Sequence, residues 1–177
     1  MDQSDVELML RVRDGDPDAF GLVVERHQRP LLNYFYRLTW DRQRSEDLTQ
    51  EVFLRLFRAR ASYRPQARFT TFLYRVAHNC FIDHVRRNRR HTQIADVEPD
   101  TQPAEGDLPE QLVESRLARE RLEVALSSLP DEQRDVFLLH EEAGLALDEI
   151  AVAMGSNREA TKSRLRYAVK KLRAAIS

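Results

Sequence analysis

The sequence predicts an all-α protein made of two small helical domains that are joined by a flexible acidic linker. Apolar residues recur at helical spacings of three and four along most of the chain, and alternating β-branched runs are nearly absent. Residues 92–110 contain three prolines, one glycine and many acids, without a periodic apolar face. We therefore predict an N-terminal domain at 1–91, a linker at 92–110 and a C-terminal domain at 111–177.

The N-terminal domain shows two helix starts close together. Ser4 and Glu7 have the spacing of a capping box, which predicts a helix running to Gly15. Asp16 offers a cap for the next helix, and Pro17 suits the first helical position because that position needs no backbone donor. A short helix should therefore be followed at once by a longer one.

Three further signals divide the rest of this domain. Pro30 should kink or divide the second helix, since proline lacks the backbone donor that an interior position uses. Ser45 can cap a third helix over 46–60, with Leu48, Val52, Phe53, Leu56 and Phe57 facing inward. After the loop SYRPQAR, a fourth helix is expected over about 70–90.

The C-terminal domain is predicted to end in a helix-turn-helix. Residues 111–128 are amphipathic, and Pro130 starts another helix. Ala151 and Gly155 then lie four apart, which places a small residue where two helices touch and a glycine where the chain reverses. Asn157 can cap the second helix of the motif.

That last helix has two contrasting faces. One face carries Thr161, Leu165, Ala168, Val169, Leu172 and Ile176, and another carries Arg158, Lys162, Arg166, Lys170 and Arg173. An apolar back with a cationic front suits a helix in the DNA major groove, because phosphates flank that groove. A basic stripe alone is also typical of a solvated bundle helix. Together with the small residue, the glycine and the cap, it favours DNA binding.

The formal net charge of −1 conceals a strong asymmetry along the chain. Residues 1–91 hold 17 arginines and 12 acids, whereas 92–115 hold seven acids and no Arg or Lys. Residues 158–173 alone carry seven basic groups and one acid. We expect the free chain to bind DNA weakly, because the acidic segment competes with phosphates for the same cations.

The composition and motifs of the chain argue against several other classes of protein. One cysteine excludes a disulfide framework and a cysteine-rich zinc site. No apolar run approaches the ~20 residues that span a bilayer, and the acidic N-terminus does not resemble a signal peptide. We expect a cytoplasmic protein without membrane insertion. No glycine-rich phosphate loop, nucleophile elbow or metal-ligand string occurs, so we expect no catalytic residue, metal or cofactor.

Several residues that could carry chemistry have a simpler structural interpretation. His78, His84 and His91 are spaced six and seven apart, which does not give the i, i+4 geometry of a metal pair. Cys80 lies with apolar neighbours and is expected in the core. The phenylalanines of the fourth helix, Phe69, Phe72 and Phe81, are more consistent with packing than with stacking on bases.

Asp47, Gln50 and Glu51 cluster on the outer side of the third helix, and spacing alone favours a solvated polar face. The surrounding sequence also shows a resemblance to a known family. Region two of bacterial sigma factors resembles the segments SEDLTQEVFLRLFRA and FTTFLYRVAHNCFIDHVRRNRR. Region four of these factors resembles the segments LPDEQRDVFLLHEEAGLALDEIAVAMG and TKSRLRYAVKKLR. Their order and the linker resemble the extracytoplasmic-function (ECF) type of the sigma-70 family, over nearly the whole chain.

This resemblance implies three binding surfaces. Asp47, Gln50 and Glu51 would dock on the β′ clamp helices of the RNA polymerase core, whose β flap is a further implied contact. In the family, one surface captures an unstacked base of the non-template strand at the −10 promoter element. The residues that match this surface are Tyr63, Arg64 and Asn79, with Arg86 and Arg87 as contacts to the DNA backbone. Residues that match the −35 duplex reader are Arg158, Glu159, Lys162, Ser163 and Arg166. Promoter DNA and an anti-sigma factor are the other implied partners.

The sequence thus predicts a promoter-specificity subunit of bacterial RNA polymerase that is not itself an enzyme. The first alternative is a one-component helix-turn-helix regulator that acts without being a polymerase subunit. That protein would need a ligand pocket or a dimer interface in its N-terminal part. A nucleic-acid enzyme is the second alternative, and the sequence lacks the metal or acid–base residues that it would need.

Overall fold

A computed structural model of the chain describes residues 3–91 and 110–177, with side chains from residue 115 onward in the second range. These residues form α-helices and one 3₁₀ turn at Arg60–Ser62, and no strand occurs among them. The helices are α1 (Asp5–Arg13), α2 (Pro17–Thr39), α3 (Arg42–Arg58), α4 (Phe69–His91), α5 (Glu110–Ser127), α6 (Asp131–Glu141), α7 (Leu147–Met154) and α8 (Arg158–Ile176). The all-α prediction is confirmed. The predicted linker at 92–110 lies outside the described residues, except for Glu110.

The two predicted N-terminal helix starts are confirmed. The Ser4 hydroxyl accepts a hydrogen bond from the Glu7 backbone N–H at 3.3 Å, and the Glu7 carboxylate accepts one from the Ser4 N–H at 2.8 Å. Asp16 accepts from the backbone N–H groups of Asp18 and Ala19. Local side chains therefore satisfy backbone donors that have no partner inside the helix.

Two local predictions in this part are corrected. Pro30 does not divide α2, because this exposed proline lies beside residues such as Leu31 and Phe35 whose burial holds the helix against its neighbours. The cap of α3 is Asp41, whose carboxylate accepts from the Arg44 N–H at 3.1 Å. Ser45 instead lies buried inside the helix and donates its hydroxyl to the Asp41 carbonyl oxygen at 2.6 Å.

The helix-turn-helix forms as predicted. Gly155 ends α7 in the left-handed region at φ 61°, where a side chain would be strained. Asn157 then caps α8 by accepting from the Ala160 N–H at 2.8 Å. Ala146 offers no side-chain acceptor to α7, and only the reverse bond forms, from the Ala146 N–H to the Glu149 carboxylate at 2.8 Å.

The N-terminal helices α1–α4 share one apolar core with α6 and α7 of the C-terminal half. Buried residues of α1–α4 and residues of α6 and α7, such as Leu139 and Ile150, belong to a single cluster. Helix α7 packs along α4, and α2 contacts both α5 and α6. A smaller cluster joins α5 to α8 and includes the ring of Trp40 from the end of α2. The two halves are therefore packed against each other.

Candidate polymerase and promoter surfaces

The outer face of α8 is a strip of exposed positive charge. Its exposed cations are Arg158, Lys162, Arg166, Lys170 and Arg173. The opposite side of the helix is buried through Thr161, Ala168 and Leu172. Because the apolar side holds the helix against α5–α7, its cations project to solvent, where phosphates could reach them. The predicted two-faced helix is thus confirmed for these residues, whereas Leu165 and Val169 are half-buried and Ile176 is 48% exposed.

The residues predicted to read duplex DNA differ in their surroundings. Arg158, Glu159, Lys162 and Arg166 are exposed, whereas Ser163 is half-buried. Arg158 pairs with Asp148 of α7 at 3.0 Å, which offsets part of its charge. The guanidinium of Arg166 lies over the ring of Tyr167, 5.6 Å from its centroid. Lys162 and Arg166 therefore form the centre of the exposed basic face.

The polar face of α3 contains an apolar strip that the sequence analysis missed. Asp47 and Gln50 are exposed, and Glu51 is half-exposed. Leu54 and Phe57 lie one and two turns beyond Gln50, and they are 49% and 39% exposed. Phe57 was predicted to face inward, and that was wrong. The signal for Leu54 was present in the sequence, since positions 47, 50 and 54 share one helix face.

Glu51 is held in place by a charged network. Its carboxylate accepts from the Arg55 guanidinium at 2.8 Å, and Arg55 also donates to Asp83 of α4 at 2.9 Å. The hydrogen bond that Arg55 donates to Glu51 is the main reason that the pKa of Arg55 is raised. Asp47 accepts from the Gln43 side chain at 3.1 Å. The network fixes α3 to α4, so the acidic face has a defined position.

Tyr63 does not present its ring to solvent in this structure. The side chain is 4% exposed, and its ring packs on Phe72 at a centroid distance of 5.3 Å. Its hydroxyl is buried without a hydrogen-bond partner among the described residues, and burial raises its pKa. A base could therefore stack on Tyr63 only after the loop opens. The unsatisfied hydroxyl lowers the cost of that opening, because water would satisfy it.

The other residues predicted to bind the −10 strand are accessible. Arg64 is exposed and donates to the Tyr63 carbonyl oxygen at 3.0 Å. Asn79, Arg86 and Arg87 are exposed along α4. This side of α4 therefore presents one amide and several cations to solvent. Tyr63 is the exception among the predicted residues.

The residues expected to be structural lie in the core, with one addition. Cys80 is fully buried, Phe69 and Phe81 are 3% exposed, and Phe72 is half-buried and packs against the core. His78 is also buried, and its Nδ1 lies 2.6 Å from the Asp135 carboxylate. No group of three potential metal ligands occurs within residues 3–91 and 110–177. In the same ranges, no helix combines the length and apolar character that crossing a bilayer demands.

Comparison with known proteins agrees with this arrangement. Residues 23–91 match the model of sigma-70 region 2, and residues 125–174 match the model of sigma-70 region 4. The chain is 32% identical over 171 residues to the RNA polymerase sigma-H factor of Pseudomonas aeruginosa, covering 92% of this chain and 89% of that protein. It belongs to the sigma-70 family. The ECF RNA polymerase sigma-E factor of Escherichia coli K12 is 31% identical, with 92% of this chain and 88% of that protein covered.

Solved structures share the fold. The sigma factor RpoE of Bartonella quintana, crystallised with the anti-sigma factor NepR, matches with a TM-score of 0.72 at 20% identity, covering 89% of this chain and 96% of that one. CnrH, solved in complex with the cytosolic domain of CnrY, gives a TM-score of 0.71 at 23% identity, covering 97% and 96%. The region 2 match thus spans most of α2 with α3 and α4, and the region 4 match spans the end of α5, α6, α7 and most of α8.

The orphan hydroxyl of Tyr63 yields a stability prediction. Tyr63→Phe should raise the free energy of unfolding by about 1 kcal/mol, because it removes a buried polar group without removing a hydrogen bond. Tyr36→Phe is the matched control: Tyr36 is 38% exposed, and its change should fall within about 0.5 kcal/mol. Urea denaturation would measure both. A destabilised Tyr63→Phe protein would show that the hydroxyl has a partner.

Proposed function

We propose that this sigma factor directs RNA polymerase to promoters through three surfaces on different helices. The face of α3 binds the polymerase core, the Tyr63 loop and α4 bind the melted −10 strand, and α8 binds the −35 duplex. The observation that carries the proposal is the exposed basic face of α8, which follows a turn and cap suited to groove binding. Family membership supports the polymerase as the partner.

The α3 face has the composition of a protein-binding surface. Asp47, Gln50 and Glu51 offer acceptors to a basic partner helix, which favours orientation and rapid association. Leu54 and Phe57 add apolar area beside them, and burial of apolar area is the dominant favourable contribution to most protein–protein association. We propose the β′ clamp helices as the partner, with acids setting the register around an apolar centre.

The two DNA surfaces suit different forms of DNA. A basic helix enters the major groove of an intact duplex, and Lys162 and Arg166 lie at its exposed centre. Asn79 and Arg86 lie on the side of a helix and are better placed to hold a single strand by one base edge and its phosphates. We therefore propose a division of labour: α8 binds first, and α4 binds after strand separation.

Several broader features follow from the same proposal. The chain acts in the cytoplasm, where the polymerase is found, and confers specificity without catalysing a reaction. Because RpoE of Bartonella quintana was crystallised with an anti-sigma factor, we propose that an anti-sigma factor also binds this chain. A one-component regulator remains the alternative, and it would bind promoter DNA tightly without polymerase.

The polymerase surface can be tested with one charge reversal. Asp47→Arg should weaken binding to purified core polymerase about tenfold or more, because it places a cation opposite a basic partner helix. Glu25→Arg is the control, since it makes the same charge change at another exposed helical position. Affinity would be measured by fluorescence anisotropy of the labelled sigma factor, and circular dichroism would monitor folding. Equal affinities for the two variants would remove the assignment of α3.

The two DNA surfaces are separated by the state of the promoter. Arg166→Ala holoenzyme should lose affinity for duplex promoter but still engage a pre-melted −10 bubble. Asn79→Ala should keep −35 recognition and lose strand opening. Each loss should be about 1–3 kcal/mol, the usual value of one good base contact. Anisotropy on both templates and permanganate footprinting would measure these effects.

Arg121→Ala is the control for lost positive charge, since Arg121 is an exposed arginine of α5 outside the basic face. Its holoenzyme should match wild type on both templates. Equal losses by Asn79→Ala and Arg166→Ala on both templates would contradict the division of labour. Tight binding of promoter duplex by the chain alone at physiological salt would instead support the one-component regulator.

A further inference from the structure

A buried carboxylate links the two halves of the chain. Asp135 of α6 is 1% exposed, and both of its oxygens are bonded to helices of the N-terminal half. The Tyr34 hydroxyl of α2 donates to one oxygen at 2.6 Å, and Nδ1 of His78 on α4 lies 2.6 Å from the other. Burial, together with the charge of the Asp135 carboxylate and the hydrogen bond to it, raises the pKa of Tyr34 well above its ordinary value. Tyr34, His78 and Asp135 form what we term the interdomain triad.

The preceding residue makes a second buried link. Arg134 donates to the Leu38 carbonyl oxygen at the end of α2, at 2.9 Å. Its remaining donors bond the Leu126, Ser127 and Leu129 carbonyl oxygens at the turn between α5 and α6. Arg134 therefore has a double role, because it fixes its own turn and reaches across to α2. The triad, by contrast, consists of bonds that cross between the halves.

Exposed ion pairs surround these buried links. Arg37 of α2 pairs with Glu142 at the end of α6. Glu149 of α7 accepts from the Thr71 hydroxyl of α4 at 3.0 Å and pairs with Arg68 at 3.3 Å. The contact between the halves thus has a buried polar centre, apolar packing around it and charged pairs at its edge. These are the features of a specific interface.

This packed arrangement is too short to serve a bipartite promoter. The −35 and −10 elements lie about 25 base pairs apart, or roughly 85 Å at ~3.4 Å per base pair. A compact domain of this length has a radius of gyration of about 16 Å, so its diameter is on the order of 40 Å. Binding to both elements therefore requires α5–α8 to leave α1–α4.

A carboxylate at the centre makes such a separation reversible. In the packed state Asp135 needs donors from the other half, because an unpaired buried carboxylate is strongly unfavourable. In the separated state water solvates it. An apolar residue at position 135 would instead expose apolar surface to water when the two halves separate. The triad thus favours two states, fully packed or fully separated, over partly opened ones.

We propose that the interdomain triad is a latch that holds the free sigma factor closed and opens when the chain assembles with polymerase. The latch rests on the proposed promoter function, since closure matters only if both elements must be bound. The binding-competent open state is a small fraction of the free chain. Apparent affinity for the polymerase is therefore reduced by that fraction, and weakening the latch tightens assembly.

The test is a titration of core polymerase with the full chain, followed by transcription from a promoter that needs both elements. Tyr34→Phe removes one latch hydrogen bond and retains the ring. It should lower the concentration of sigma factor at half-maximal transcription by about tenfold, the usual effect of one hydrogen bond to a charged group. Tyr36→Phe, on the exposed side of the same helix, should leave that concentration unchanged. A purely structural role for Tyr34 would raise it.

A second pair of variants keeps the test decisive if Tyr34→Phe folds poorly. Glu142→Ala breaks the exposed pair between the halves and should lower the half-maximal concentration by about two- to fivefold. Glu141→Ala is its control, because Glu141 pairs with His140 on its own helix. An unchanged or raised concentration for Tyr34→Phe and Glu142→Ala overturns the latch while the promoter function stands. Absence of transcription with the wild-type chain would overturn the promoter function itself.

Discussion

The buried Asp135 carboxylate constrains the arrangement of the whole free chain. A carboxylate removed from water must receive hydrogen bonds, and the donors here come from α2 and α4 rather than from its own half. The position of α6 is therefore set by the N-terminal helices. Because α6 packs on α8 and α7 packs on α4, the placement of the helix-turn-helix depends on the same contact.

The same constraint limits the separation of the two proposed DNA-binding surfaces in the free chain. The basic face of α8 stays exposed in the packed state, but the distance between it and α4 is fixed by the core that the halves share. A bipartite promoter demands a greater separation. Closed and open forms thus differ in which partner satisfies the buried polar groups: the other half of the chain in one, and water in the other. We propose that polymerase binding supplies the free energy for the exchange.

Much of the fold was predictable because its signals are local. Ser4, Asp16, Gly155 and Asn157 act on backbone groups within a few residues, and their roles were confirmed. Local reasoning failed where two signals competed. Asp41 capped α3 in place of Ser45, and packing kept α2 continuous through Pro30.

The same distinction between local and long-range contacts decides which candidate sites the sequence predicts. The exposed basic face of α8 follows from its helical spacing, so the sequence predicted it. The interdomain triad did not emerge, because its members lie 57 and 101 residues apart along the chain. By spacing alone, His78 is one of several histidines on a helix, and its contact with Asp135 does not follow from that spacing. The burial of Tyr63 likewise depends on Phe72, which helical spacing alone does not place beside it.

Unfolding of the free full-length chain tests the shared core most directly. Trp40, the one tryptophan, lies at the end of α2 and packs against the cluster that joins α5 to α8, so its fluorescence reports on contact between the halves. Circular dichroism reports on all helices. If the halves share one core, the two signals should change at the same urea concentration in one cooperative transition. A loss of the tryptophan signal well before the loss of helix would show that the halves are independent in the free chain.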